Sequence, residues 1–302
     1  GSLNNIGTAY YSLCDYKNAL RYFNEACKIW QEIGDKEDTA GILNNIGIIH
    51  YTLGNYKEAK KAYKEALKIF REINHPYGIS VVLSSIGNIY SQQGNYEEAL
   101  KLYKDSLMLK EKLGQKAGIA MVLNSLANVY IELGDYKKAK DYAERALKLG
   151  KEAHIQSEVV NGLANLLNIY LKKKDSNKMQ KIKDKLLNEV KKGELGKSPE
   201  ALLILAKYYL HKKEYKKAIH YAKEVYDVAH ERNELAQEAM ASCLLGEIFA
   251  KKNNKSQAMK YLSRAVEIGE QLQLITCLIE SYKMLYKLTQ KEEYKSKATK
   301  IS

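Results

Sequence analysis

The chain is 302 residues long, 45% apolar and 28% charged, a balance that excludes wholesale disorder and fits two ordinary domains or one long repeat array. No apolar run approaches the roughly 20 residues that a membrane span needs, and with only two prolines, Pro76 and Pro199, long helices are permitted almost everywhere. The net charge of +13 raises nucleic acid as a partner, but the cations are nearly all lysines interspersed with glutamates, as at Lys57, Lys60, Lys61 and Lys64, which is the pattern of a solvated face and not of a phosphate reader built on arginine's planar fork.

From its start at Gly1-Ser2, which reads as a cloning remnant on a piece of a longer protein, the chain enters a helical pattern at once. A shift of 40 residues superimposes the first four units without gaps. Ile6-Gly7 recurs as Ile46-Gly47, Ile86-Gly87 and Leu126-Ala127. Tyr16, Tyr56, Tyr96 and Tyr136 share a register, as do Ala19, Ala59, Ala99 and Ala139. Gly54, Gly94 and Gly134 share another, with Cys14 as the exception. Such a period marks stacked supersecondary units.

Each unit reads as two helices. Between Asp38 and Leu53 the apolar residues Ile42, Leu43, Ile46 and Ile49 make one helical stripe. Gly54 supplies a left-handed stop, and Asn55 with Glu58 forms a capping box for a second helix over 56–73. Ala59, Tyr63, Ala66 and Ile69 face inward on that helix. The small residues Gly47 and Ala59 allow close helix approach. Tyr56 and Tyr63 fill the gaps between hairpins with their hydroxyls near the surface, which accounts for 24 tyrosines against 3 phenylalanines.

Beyond residue 150 the pattern decays and then returns. The fifth unit keeps Leu166 and Tyr170 but has Lys174, Ser176 and Met179 where glycine, tyrosine and alanine are expected. Unit six restores Leu205, Ala206, Tyr209, Tyr215 and Ala218, and unit seven has Gly246, Phe249, Ala258 and Ala265. The stretch 272–301 reads as a degenerate helix pair that caps the array. An irregular loop over 191–198, with two glycines followed by Ser198-Pro199, divides units one to five (1–190) from units six, seven and the cap (199–302). It reads as a slightly longer surface loop, with a hinge as the alternative.

The register Ile46-Gly47, Gly54, Tyr56, Ala59, Tyr63, Ala66 resembles the tetratricopeptide repeat signature in its long form of about 40 residues. That form occurs in Pins-type scaffolds, kinesin light chains, Rap-type peptide receptors and bacterial sensor proteins. The resemblance implies an all-α fold, a right-handed superhelical solenoid of stacked helix-turn-helix hairpins. It also implies that the first helices line a concave groove where partners are held.

No P-loop, GxGxxG, GxSxG or HExxH is present, and the six histidines are dispersed. His50 stands at a packing position and reads as a core histidine. Cys14, Cys27, Cys243 and Cys277 form no CxxC pair and read as buried thiols of a cytoplasmic protein. The expectation is a non-enzyme without cofactor or metal. The informative feature is a set of asparagines on successive first helices. Asn4, Asn44 and Asn124 share one column, Asn45 and Asn165 the next, and Asn88, Asn128 and Asn168 a third that also contains Ile48. Asparagine is a poor helix-interior residue, yet its amide offers the donor and acceptor that grip a peptide unit.

The expected site is therefore a peptide-binding groove of these asparagines with Ile48 and Tyr51. The alternatives are structural asparagines bonded between helices, and a sensing domain for a signalling peptide or small molecule coupled to an effector elsewhere. The resemblance also brings to mind a clamp for a terminal carboxylate, but its basic residues are missing from the first column, which has Asn4, Asn44, Ser84 and Asn124. The expected partner is a protein or peptide, with neither nucleic acid nor membrane, and a homodimer through end repeats is possible in such arrays.

Overall fold

The computed structural model describes residues 2–192 and 198–301, and every regular element among them is a helix. The chain divides into two compact units. One runs to Ser91 and resumes over Glu97–Gly114; the other takes Gln92–Tyr96 and everything from Gln115 onward. The first comprises α1 (Ser2–Ser12), α2 (Tyr16–Ile33), α3 (Lys36–Thr52), α4 (Tyr56–Glu72) and nearly all of α5 (Pro76–Gln92) and α6 (Tyr96–Lys112). The second comprises α7 (Lys116–Glu132), α8 (Tyr136–Glu152), α9 (Gln156–Lys173), α10 (Ser176–Val190), α11 (Pro199–His211), α12 (Tyr215–Glu231), α13 (Leu235–Lys251), α14 (Lys255–Leu272), α15 (Ile275–Thr289) and α16 (Glu292–Ile301). Within the second unit α7, α9, α11, α13 and α15 touch in succession, and each also packs on the helix that follows it. That is a solenoid of stacked hairpins.

Residues 193–197 of the expected loop lie outside the described residues. On its far side Ser198 caps α11, its Oγ accepting the N–H of Ala201 at 3.1 Å with Pro199 in the first turn. The boundary at Gly114/Gln115 is a different one from that expected at 191–198.

The small residues explain the packing. Ala19, Ala59, Ala99 and Ala139 are fully buried. A Cβ built on Gly47 would come within 2.5 Å of the Tyr63 ring, and Gly7 and Gly87 seat Phe23 and Tyr103 in the same way at 2.8 Å. What the glycine admits is thus a ring from the partner helix, sixteen residues on. A second aromatic device recurs within hairpins. Tyr10 stacks on Tyr22, Tyr130 on Tyr142, Tyr209 on Tyr221, Phe249 on Tyr261 and Tyr282 on Tyr294, with centroids 5.3–6.1 Å apart. Each pair is twelve residues apart and joins the two helices of one hairpin. At the end of the chain, Tyr282, Leu285 and Ala298 close over Leu262 of α14, so α15 and α16 form the expected helix pair.

Two local expectations are corrected. Asn55 occupies the N-cap position but its side chain makes no capping bond. Asp15, Asp135 and Asp175 do cap their helices, through carboxylate oxygens 3.1 Å from a backbone N–H, and the neutral amide of Asn254 caps α14 at the same distance, so charge alone does not decide whether the bond forms. The Tyr56 hydroxyl is not near the surface: it is buried, with no hydrogen-bond partner among the described residues. Burial accordingly holds its proton far more tightly than usual. Finally, Cys14 and Lys174 replace the turn glycine yet take φ of 58° and 56°, so the hairpin geometry imposes the left-handed turn at a local cost of about 1–3 kcal/mol. His50 is half-buried and its ring is held neutral by desolvation, as expected of a core histidine.

Substituting the two α3 glycines separates seat from opening. Gly47→Ala pushes a methyl into the Tyr63 ring and is expected to cost about 1–3 kcal/mol. A Cβ at Gly41 meets nothing within 4 Å, so Gly41→Ala should gain up to about 1 kcal/mol from helix propensity. Urea unfolding of the two variants would read the difference, and equal midpoints would refute the seating argument.

Candidate functional site

The expected site residues fall in two groups that the units hold separately. In the first unit Asn4, Asn44, Asn45, Ile48, Tyr51 and Asn88 are all half-buried. Asn45 on α3 reaches α1, its Nδ2 donating to Asn4 Oδ1 at 3.3 Å. Asn44 points its Oδ1 into a buried position with no hydrogen-bond partner among the described residues. These three asparagines border one cleft of about 380 Å³. Ile48, Tyr51 and Asn88 lie outside it. The Tyr51 ring leans on Tyr56 at 5.5 Å, and Asn88 Oδ1 accepts from the Tyr103 hydroxyl at 2.7 Å. Ser84 and Ser85, which replace asparagine in the third unit, turn back onto the Val81 carbonyl of their own helix.

Residues that the sequence reading did not single out complete the cleft. Its walls carry Glu37 and Asp38 from the first turn of α3, and His75 and Tyr77 where α5 begins. The His75 ring stacks on Phe70 at 5.2 Å. Its Nδ1 accepts the Gly78 N–H at 3.0 Å, which assigns the ring proton to Nε2, 3.5 Å from Glu37 Oε1. Tyr77 is 51% exposed. One signal was present in the sequence: Gly41, Val81 and Met121 form a column at the 40-residue period. Gly41 borders the cleft with open space where a side chain would stand, while Met121 on α7 is exposed.

In the second unit the asparagines sort themselves by burial. Asn124 and Asn165 are only 4% and 5% exposed. Asn165 Nδ2 donates to the backbone and side-chain oxygens of Asn124 at 3.2 and 3.3 Å. Asn124 Nδ2 in turn donates to Glu158 Oε2 at 2.9 Å and to its carbonyl at 3.2 Å. This buried chain braces α7 to α9. Glu158 is 6% exposed, and desolvation raises its pKa above the ordinary 4.5 against the opposing pull of the Asn124 bond. Asn128, one turn beyond Asn124 on α7, is exposed and Asn168 on α9 is half-buried; neither makes a side-chain hydrogen bond within the described residues.

Among the described residues no three His, Cys, Asp or Glu side chains gather as metal ligands would, and no helix is long and apolar enough to cross a membrane. The four cysteines are free thiols, with Cys27, Cys243 and Cys277 buried and Cys14 half-buried.

The tetratricopeptide repeat model matches residues 1–72 and 78–152, and a second model of the same description matches 239–271. None of the curated proteins matches. Among solved structures, a Rap protein complexed with Competence and Sporulation Factor is similar at 19% identity and TM-score 0.72, over 89% of this chain and 74% of that one. The Rap conjugation gene regulator of the plasmid pLS20, in complex with the Phr* peptide, is similar at 16% identity and TM-score 0.70, over 89% and 73%. Aspartyl phosphate phosphatase F from Bacillus subtilis is similar at 15% identity and TM-score 0.71, over 90% and 70%. Identities this low carry a likeness of fold.

The two kinds of asparagine are expected to respond differently. Asn124→Ala removes the amide that bonds the Glu158 carboxyl and leaves Asn165 only the backbone oxygen of residue 124, and should cost about 1–3 kcal/mol. Asn128→Ala, at an exposed site, should stay within about 0.5 kcal/mol of wild type. Chemical unfolding distinguishes them, and a harmless Asn124→Ala would refute the brace. The raised Glu158 pKa has a sign as well. The folded form holds its proton more tightly than the unfolded chain, so this group's contribution is present below the ordinary value of 4.5 and lost as pH rises through the folded pKa. Glu158→Gln removes that loss. Its melting temperature relative to wild type should therefore climb between pH 4 and pH 7, and a flat difference would contradict the burial argument.

Proposed function

Because the chain belongs to the tetratricopeptide repeat family, we propose that it is a non-catalytic binding protein that holds an extended peptide on the face of its first helices. The observation that carries this reading is unspent hydrogen-bonding capacity on that face. Asn128 and Asn168 have no internal partner, Asn88 uses only its carbonyl, and Asn44 keeps a buried acceptor unused. On α3, Ile48 and Tyr51 add apolar side chains next to Asn44. Asn124 and Asn165 set the spacing of α7 and α9 from behind, so their part in binding is positional. Two of the similar folds were solved with a bound factor or peptide, which favours a peptide over other partners.

The lysine surplus argues against nucleic acid as the ligand. Lys138, Lys140, Lys178, Lys217 and Lys251 each pair with an acid three or four residues away on their own helix or its cap. Such pairs are a solvated surface of small energetic weight.

The test is fluorescence polarisation with a positional-scanning panel of labelled synthetic pentapeptides. Wild type should bind part of the panel. The Asn128→Ala/Asn168→Ala double variant should bind it roughly ten-fold or more weakly, since each lost bond is worth about 0.5–1.5 kcal/mol, with helicity unchanged by circular dichroism. Failure to bind any peptide, with tight binding of a labelled oligonucleotide that fades steeply with salt, would overturn the reading.

A further inference from the structure

We propose that the cleft between α1, α3 and α5 is a receptor for a cationic group of the bound peptide, either its amino-terminal ammonium or a basic side chain. The inference rests on the peptide reading above and gives the ligand a chemical class.

Charge is the first observation. The chain has 49 Lys and Arg against 36 Asp and Glu, yet the ionisable side chains bordering this cleft are Glu37, Asp38 and His75, with no Lys or Arg. His75 adds no competing cation in its assigned form, because its Nδ1 accepts a backbone N–H and only Nε2 carries a proton, turned toward Glu37. The carboxylates therefore face the cleft without a strong internal counter-charge.

An orphan acceptor is the second. Asn44 Oδ1 is buried against the cleft with no donor. A buried carbonyl left unbonded is costly, and a rotation of the half-buried Asn44 side chain would turn it toward an N–H group of a ligand in the cleft. The third is room. At the column where Val81 and Met121 carry side chains, α3 has Gly41, and a Cβ there meets nothing within 4 Å. Removing that one side chain leaves a cleft of about 380 Å³, within the roughly 300–1,000 Å³ typical of ligand sites. The Phe70–His75 stack and the exposed Tyr77 give it aromatic walls, whose faces attract a cation.

Glu37 and Asp38 also complement the dipole of α3 at its first turn. That role explains two acidic residues near a helix start. It leaves the unused Asn44 acceptor and the opening at Gly41 without a reason.

The test uses the same pentapeptide panel in four forms, with free or acetylated amino termini and with lysine or norleucine at each position. Wild type should bind the cationic forms about ten-fold more tightly than their neutral counterparts. Sensitivity to acetylation assigns the ammonium, and sensitivity to norleucine at one position assigns a side chain. Gly41→Leu fills the cleft, keeps both carboxylates and should melt no lower than wild type; with it the charge preference should vanish. Glu37→Gln/Asp38→Asn should weaken the preference in the same direction. Equal binding of neutral and cationic forms by wild type, or a preference that survives Gly41→Leu, would overturn the inference while leaving the peptide reading intact. A panel that binds nowhere would overturn both.

Discussion

A glycine on the first helix of a hairpin lying under a ring of the second sets the distance at which the helices of this protein pack. Gly7 lies under Phe23, Gly47 under Tyr63 and Gly87 under Tyr103, and Gly246 receives Leu262 in the same geometry. Interiors packed at crystal density leave no room for both a side chain and a ring. In two other hairpins alanine stands at both positions. Ala127 and Ala206 occupy the glycine position, and sixteen residues on stand Ala143 and Ala222, all four fully buried. Two solutions thus recur, glycine with a large residue and alanine with alanine, while the fifth unit departs from both with Leu167 and Lys183.

Tyrosine and lysine abundance have a common cause in that packing. A stacked aromatic pair at twelve-residue spacing bridges five hairpins, and lysine ammonium groups lie over several of the same rings. Lys138 sits 5.3 Å from the Tyr130 centroid, Lys217 5.1 Å from Tyr209 and Lys297 5.3 Å from Tyr282. These tyrosines are buried, each ring packed between its stacking partner and the lysine that covers it, and the ring face attracts that cation. The positive surface therefore belongs to the hairpins themselves and needs no polyanionic partner to explain it.

The hairpin architecture was legible in the sequence because its determinants are local and repeat. Period, glycine and alanine registers, and helix stripes all lie within one unit, and the same rule is written several times. The losses are equally physical. Whether an N-cap side chain bonds is not written in residue type, since Asn254 caps its helix and Asn55 does not. Whether residue 174 turns left-handed is decided by the helices on both sides and not by its own preference. The site was legible as a set of columns but not as a surface. Asn124 and Asn128 look alike in sequence, one turn apart on α7, yet Glu158, 34 residues later, closes over the first and leaves the second open. The cleft was missed because its marker is a missing side chain at Gly41, which a search for functional groups passes over.

That division among the asparagines gives the strongest internal argument about what the helix face is for. An asparagine within a helix is less favourable than alanine by about 0.5 kcal/mol or somewhat more. At Asn124 and Asn165 the loss is recovered inside the chain, through a buried amide chain that ends on Glu158 and ties two helices together. At Asn128 and Asn168 nothing inside the chain recovers it, since neither amide meets a partner among the described residues. Two residues of one type, repeated at one period, thus meet opposite fates according to depth. The buried pair belongs to the stability of the solenoid. The open pair has no such part in stability, and its donors and acceptors stay free for the extended backbone proposed above, which presents both at every residue.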